Sequence, residues 1–169
     1  MVHGELVADV MLEKLARWIR LSGTSITSAP FTSDNSIIRY VKKHNGILLT
    51  QDEPLAGRSS KRKFKVLLVK GSSIEEQLAF VACSLGLKIR TTPSGICPYC
   101  NAKLVKIAKE SAKAAVPNAV AKSHTSFYTC KKCKRVYWRG THWNKISARL
   151  KLAMQIKNKQ LKNMRNSRD

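Results

Sequence analysis

Acidic side chains are what this chain has least of. Asp and Glu number 10 against 32 Lys and Arg, a formal net charge of +22 over 169 residues. That is far beyond what solubility requires, so a polyanion is the expected partner: RNA, DNA and an anionic membrane face all satisfy the electrostatics. No apolar run approaches membrane-spanning length, which excludes a transmembrane helix. A basic stretch leading into an apolar one is also missing at the N-terminus, because Glu5, Asp9 and Glu13 interrupt it; such a pattern argues against a secretory leader. The expectation is a soluble, cytoplasmic protein. Cysteine is sparse too. Of five residues, four fall in two C-x-x-C pairs, and in a reducing compartment such pairs are metal ligands more often than disulfides.

Hydrophobic residues make up 43% of the chain, enough for a real core. Charge divides it in two: residues 1–90 carry 14 basic and 8 acidic side chains, whereas residues 91–169 carry 18 and 2. A boundary between Thr91 and Gly95 follows. The expected organisation is an α/β domain over 1–92, a cysteine-bearing ribbon over 93–146 and a basic helical or disordered tail over 147–169.

In the first part, Leu6 to Ala8 reads as a short buried strand, and Met11, Leu12, Leu15, Ala16 and Ile19 then recur at helical spacing up to Gly23. Ser33 or Asp34 caps a second helix with an apolar face of Ile37, Ile38 and Val41. "ILLT" at 47–50 is a buried strand, "RSSKRKFK" at 58–65 a basic loop, and Val66 to Val69 another strand. A helix from Ser73 to about Leu85 follows, with a last strand expected at Leu87 to Ile89. Aliphatic strands separated by helices predict a parallel sheet covered on both faces, and such sheets bind ligands outside the carboxyl ends of their strands.

Three of the scarce acids fall at that edge. Asp9 follows the first strand, Asp52 follows "ILLT", and Asp34 opens a helix. Carboxylates that converge need a counter-charge, and an all-oxygen ligand set favours Mg²⁺ or Mn²⁺ over zinc. One or two such ions activate water against a phosphodiester. Asp9 and Asp34 are equally serviceable as helix caps, a use that needs no metal. Glu76 completes the capping-box pattern Ser73-x-x-Glu76, and Glu13, Glu53 and Glu75 read as solvated.

Cys97 and Cys100 in "CPYC" and Cys130 and Cys133 in "CKKC" have the spacing of two knuckles that close a four-thiolate zinc site. The 29 intervening residues are expected to hold an extra helix, "KLVKIAKESAKAA", ending before Pro117. His124 and His142 are substitute ligands that four cysteines make unnecessary, and Cys83 reads as a small buried hydrophobe. Around the second pair lie Lys131, Lys132, Lys134, Arg135 and Arg139 with Tyr128, Tyr137, Trp138 and Trp143. Basic side chains interleaved with aromatics hold phosphates and stack on unpaired bases, although packing of the ribbon accounts for at least one of Tyr137 and Trp138. In the tail, Ile146, Leu150, Met154 and Leu161 mark an amphipathic helix among lysines.

The blocks "VADVMLEKLARWIRLSG", "ILLTQD", "EEQL", "CPYCNAKL", Val116-Pro117 and "CKKCKRVYWRGTHW", in that order, resemble the Mut-seven-C ribonuclease family, a PIN-like domain followed by a zinc ribbon. The match covers roughly residues 5–146. The resemblance implies a PIN-like α/β fold and divalent-metal-dependent cleavage of RNA. Asp9 matches the acid of the family's first block, Asp52 the acid after its Leu-Thr strand, and Asp34 the acid that opens its second helix. Cys97, Cys100, Cys130 and Cys133 match its ribbon ligands. Gly23-Thr24-Ser25 lacks an acid that the family often has there, and Gln51 stands where it usually has Arg.

Two readings follow. One is a ribonuclease with structural zinc, Mg²⁺ or Mn²⁺ at the aspartates, and RNA on the ribbon. The other is a non-catalytic RNA-binding protein, lodged on ribosomal RNA or the ribosome, that has kept the scaffold and drifted in its acids.

Overall fold

A computed structural model describes residues 4–30 and 33–166. The first part is a parallel four-stranded sheet of β1 (Leu6–Ala8), β2 (Thr27–Ser28), β3 (Ile47–Thr50) and β4 (Lys65–Leu68), in the order β2-β1-β3-β4. Helices α1 (Glu13–Leu21), α2 (Asp34–Lys43), α3 (Glu53–Gly57), α4 (Ser59–Arg62) and α5 (Ile74–Ser84) connect and cover it. The α/β class and the parallel sheet are as expected. Alternation within the strands decides which helix goes where. Leu6, Ala8 and Leu49 face a core with Leu15, Ala16 and Ile19 of α1 and Leu78, Val81 and Ala82 of α5. Val7 and Leu48 face the other way, onto Ile37, Ile38 and Val41 of α2 and Leu55 of α3.

Local signals hold these elements in place. Ser33 caps α2 by accepting from the Ser36 N–H, and Ser73 and Glu76 form the expected capping box of α5. Asn45 sits at φ 46°, and Gly46 lies so close to the β1 strand that an added Cβ would stand 2.8 Å from the Glu5 carbonyl oxygen. The turn into β3 therefore needs glycine at 46. The two-residue β2 escaped sequence reading because it carries Thr and Ser rather than an apolar run. Leu87 to Ile89 is not a strand; Ile89 is buried in the α1–α5 core and the segment runs as a connection.

The second part is an antiparallel sheet, β5 (Leu104–Ile107), β6 (Phe127–Cys130) and β7 (Val136–Trp138), in that order. "LVKI" was expected to begin a helix. It pairs instead with β6, Leu104 opposite Cys130, which brings the two cysteine pairs side by side. Helix begins only afterwards, in α6 (Lys109–Ala112) and α7 (Asn118–Ser123), with a 3₁₀ turn at Lys113–Ala115 between them.

The last element, α8 (Thr141–Asn166), is one continuous helix through residue 147. Its Leu150 and Ala153 are fully buried in the α1–α5 core, with Ile146 against them. Met154, expected on that stripe, is exposed, because the turns that dock are set by 146, 150 and 153. Lys157 continues the stripe and donates from Nζ to the Leu87 carbonyl at 2.6 Å.

Arg149 of α8 pairs with Glu75 of α5 and lies 4.6 Å over the Trp18 ring of α1, tying three helices together. Glu75, expected to be solvated, is therefore engaged. The hydrogen bond from Arg149 holds its carboxyl below the usual range. A depressed folded-state value stabilises the fold above the ordinary glutamate pKa of about 4.3, and that stability is lost as the pH falls through the lower value. Protection factors of the α8 amides, with exchange rates corrected for their intrinsic pH dependence, should fall below about pH 4. Glu75→Gln should remove that pH dependence at a cost of about 1 kcal/mol, read by denaturant titration.

Candidate active-site edge and cysteine cluster

The chain leaves β1 toward α1, on one face of the sheet, and leaves β3 toward α3, on the other. Between two such strands the loops part and a crevice opens at the carboxyl edge. Asp9 and Asp52 sit there. Asp9 caps the 3₁₀ turn Val10–Leu12; its Oδ1 accepts from the Val10 N–H at 2.6 Å and its Oδ2 from the Thr50 hydroxyl at 2.7 Å. Thr50 Oγ1 in turn accepts from the Asp52 N–H at 3.0 Å, and Asp52 Oδ1 accepts from the Leu55 N–H at 2.7 Å. The fully buried Thr50 thus links the two acids. Sequence reading passed over it, although a lone hydroxyl closing an aliphatic strand before an acid is a usable signal.

Asp9 is 8% exposed. In a chain so rich in cations, neither Asp9 nor Asp52 has an ion-pair partner among the described residues. A buried carboxylate without a counter-charge is costly, and the pair therefore suits a cation. Asp34 is placed differently: its Oδ2 accepts from Arg58 Nη1 at 2.8 Å, while Arg58 Nη2 donates to Asn35. Asp9 and Asp52 are brought together through Thr50; Asp34 is held by a guanidinium. Glu13, expected to be solvated, bonds Ser28, Arg17 and Arg20.

Among the described residues, the group of three or more ligand-type side chains close enough to hold one metal ion is Cys97, Cys100, Cys130 and Cys133, whose sulfurs lie within 4.8 Å of one another. Cys97 and Cys133 are 3.6 Å apart and Cys100 and Cys130 3.3 Å, near the roughly 3.8 Å edge of a tetrahedron with metal–sulfur bonds of about 2.3 Å. The two pairs share one backbone design. Cys97 N–H donates to the Ala102 carbonyl and Asn101 N–H to Cys97; Cys130 N–H donates to Arg135 and Lys134 N–H to Cys130. Asn101 and Lys134, the residues after each second cysteine, are both left-handed, at φ 63° and 61°. Burial pushes the Cys100 thiol up to about 12, whereas at Cys133 burial is outweighed by hydrogen bonds from Arg135, Cys130 and Cys97 acting together, which bring the thiol down to about 6. Four crowded thiols cannot all ionise unaided; a bound cation removes that conflict.

A family model described as Mut7-C RNAse domain matches residues 4–150, spanning the parallel sheet, the cysteine cluster and the start of α8. The chain belongs to the Mut7-C RNAse domain family. No curated protein and no solved structure matches it.

In this Mut7-C chain the cysteine cluster is bolted to the sheet by a residue that sequence reading missed. Arg20 of α1 is 1% exposed and donates to the carbonyls of Ile26 at 2.9 Å, Pro98 at 2.9 Å and Tyr99 at 3.2 Å, and to the Ser28 hydroxyl at 2.7 Å. Burial lowers its pKa, while Glu13 and the neighbouring Cys97 and Cys100 favour its charge. It puts a fixed positive charge beside the thiolates. Asn101 adds bonds to Ser25 and to the Ile26 N–H.

Of the expected RNA-contacting residues in the Mut7-C ribbon, Lys131, Lys132, Lys134, Arg135 and Arg139 are exposed, and Trp138 and Trp143 are half-buried. Arg135 lies 4.1 Å over the exposed Tyr99 ring, with Arg17 of α1 4.7 Å from the same ring. Tyr137 is a structural partner: its hydroxyl lies 3.1 Å from Cys97 Sγ, and burial raises its pKa. Cys83 is half-buried, its sulfur 3.7 Å from that of Met164.

Proposed function

We propose that the protein is a divalent-metal-dependent ribonuclease on a PIN-like scaffold, working in the cytoplasm, with structural zinc in its ribbon. The observation that carries this reading is the pair Asp9 and Asp52, two acids at the topological switch point with no cationic partner among the described residues. Family membership supplies the substrate class.

Asp9 and Asp52 are the residues to hold Mg²⁺ or Mn²⁺, whose charge activates water and stabilises the leaving oxygen of a phosphodiester. Thr50 keeps the Asp9 carboxylate aimed by donating to Oδ2 and anchors the backbone N–H of Asp52 through the same hydroxyl. Asp34 is the third acid; its carboxylate becomes available when Arg58 turns to another anion, such as an RNA phosphate. Lys131, Lys132, Lys134, Arg135 and Arg139 hold the RNA backbone, with Trp138 and Trp143 beside them. Cys97, Cys100, Cys130 and Cys133 hold the zinc, which fixes the ribbon and takes no part in cleavage.

The discriminating variant is Asp52→Asn. Asn caps a helix as well as Asp does, so the Leu55 N–H keeps its acceptor and the fold is preserved, while the charge is lost. Asp9→Asn is less clean, because both Asp9 oxygens accept hydrogen bonds and an amide NH₂ would confront one of the donors. Manganese-dependent cleavage of RNA should fall by at least about a hundredfold in Asp52→Asn, the loss of several kcal/mol of metal-supplied stabilisation. Tight binding without cleavage in the native protein would instead establish the non-catalytic reading, and co-sedimentation with ribosomes through a salt wash would then identify ribosomal RNA as the partner.

A further inference from the structure

We propose that the groove between α2 and α4 is a track for the phosphate backbone of RNA, which delivers the strand to the carboxyl edge of the sheet; the identity of the ligand rests on the ribonuclease reading above. The stretch "RSSKRKFK" is not an open loop. Ser59–Arg62 makes a turn of helix, and Lys63, left-handed at φ 50°, swings the chain into β4. This packs the stretch along α2 and leaves two adjoining concavities of about 380 and 400 Å³ that share Lys42.

Five cations line them: Arg39, Lys42, Arg62, Lys63 and Lys65, with half-buried Phe64 on the floor. No acid lines either concavity, and none of the five is in an ion pair among the described residues. Elsewhere in this half Arg17 and Arg20 pair with Glu13, and Arg58 with Asp34. Crowding five like charges into one groove costs self-repulsion, which a polyanion laid along it would relieve.

The groove also leads somewhere. Helix α2 has 10 residues, about 15 Å at 1.5 Å per residue. It starts beside Arg58 at the carboxyl edge and ends at Lys43, just before Asn45 and Gly46 turn the chain into β3. The ribbon docks on the opposite face, through α1 and the loop before β2. The carboxyl edge that carries Asp9 and Asp52 lies between the two faces, at the end of the groove marked by Arg58. Arg58, at the head of the groove, is the first guanidinium a strand meets on leaving it.

The test is RNA binding by the full chain carrying Arg39→Gln, Lys42→Gln and Arg62→Gln together, all three side chains being exposed. A fluorescently labelled oligouridine is titrated over a salt series with no divalent cation present. Affinity should fall at least about tenfold and the slope of log K against log salt should shrink by about 2, since each lost phosphate contact on a single strand contributes about 0.7. Thermal melting should be unchanged. A variant with Lys131→Gln, Lys132→Gln and Lys134→Gln should add a separate loss, because it touches the other face. An unchanged affinity and slope in the groove variant would overturn the track, whether or not the native protein cleaves RNA. If the slope falls while the native protein cleaves nothing, the track stands and the ribonuclease reading fails.

Discussion

Replacing Cys130 by serine, or stripping the metal with a chelator, should unfold residues 96–138 while the parallel sheet stays folded. The reason is the poverty of the core in that segment. Its fully buried apolar positions are Cys97, Ala112, Phe127 and Cys130, with Ala121 close behind: one large side chain, two alanines and two of the cysteines themselves. Burying a phenylalanine is worth about 1.5–3 kcal/mol, far less than the backbone entropy of ordering some forty residues at about 1–2 kcal/mol each. Binding at a structural four-thiolate zinc site contributes about 10–16 kcal/mol in small zinc domains, several times what that one side chain provides. Removing it takes away the dominant stabilising term. Native mass spectrometry should show one zinc per chain. Amide resonances of 96–138 should collapse to random-coil shifts in the Cys130→Ser protein, while those of α1, α2 and α5 persist. A ribbon that keeps dispersed resonances with no metal bound would contradict this account.

Arg20→Met should cost about 3–5 kcal/mol, the range for removing one member of a buried charged network. Methionine fills most of the space and donates nothing, so the carbonyls of Ile26, Pro98 and Tyr99 and the Ser28 hydroxyl lose their common donor. A second effect separates this variant from an ordinary core defect. The guanidinium favours ionised Cys97 and Cys100, so its loss should weaken metal binding as well as folding. Chelator competition should show zinc released more readily from Arg20→Met than from a control such as Leu78→Ala, which costs a comparable folding free energy of about 2–5 kcal/mol on the α5 side of the core and lies in no bond to the knuckle. Equal release from both would mean that Arg20 acts by packing alone.

Much of the architecture was legible along the chain. The spacing of Leu12, Leu15, Ala16 and Ile19, and of Ile37, Ile38 and Val41, marked two helices, since a helix that covers a sheet must repeat its apolar positions every three to four residues. "ILLT" before an acid marked a strand end, and the two C-x-x-C pairs marked the cluster of four cysteines that could hold a metal ion. Other features were hidden for physical reasons. Arg20 lies in "LARWIRLSG", where an arginine on an amphipathic helix reads as solvent-facing; only the approach of the Pro98 and Tyr99 carbonyls, some eighty residues away, makes burial affordable. Leu104–Ile107 lies in a lysine- and alanine-rich run of helical character, and pairing with β6 overrode that preference. β2 is held by its ladder with β1 rather than by its own composition.

What the sequence determined by itself, then, is periodicity and ligand chemistry: which residues are apolar at which interval, and which thiols come in pairs. These are properties of neighbours along the chain. The tertiary structure alone decided that Thr50 joins Asp9 to Asp52, that Arg58 takes Asp34, that Arg20 locks the cysteine knuckle to α1, and that α8 folds back onto α5. The first three depend on a polar group meeting a partner distant in the chain and the last on an apolar stripe finding its core, and no local spacing encodes such a meeting.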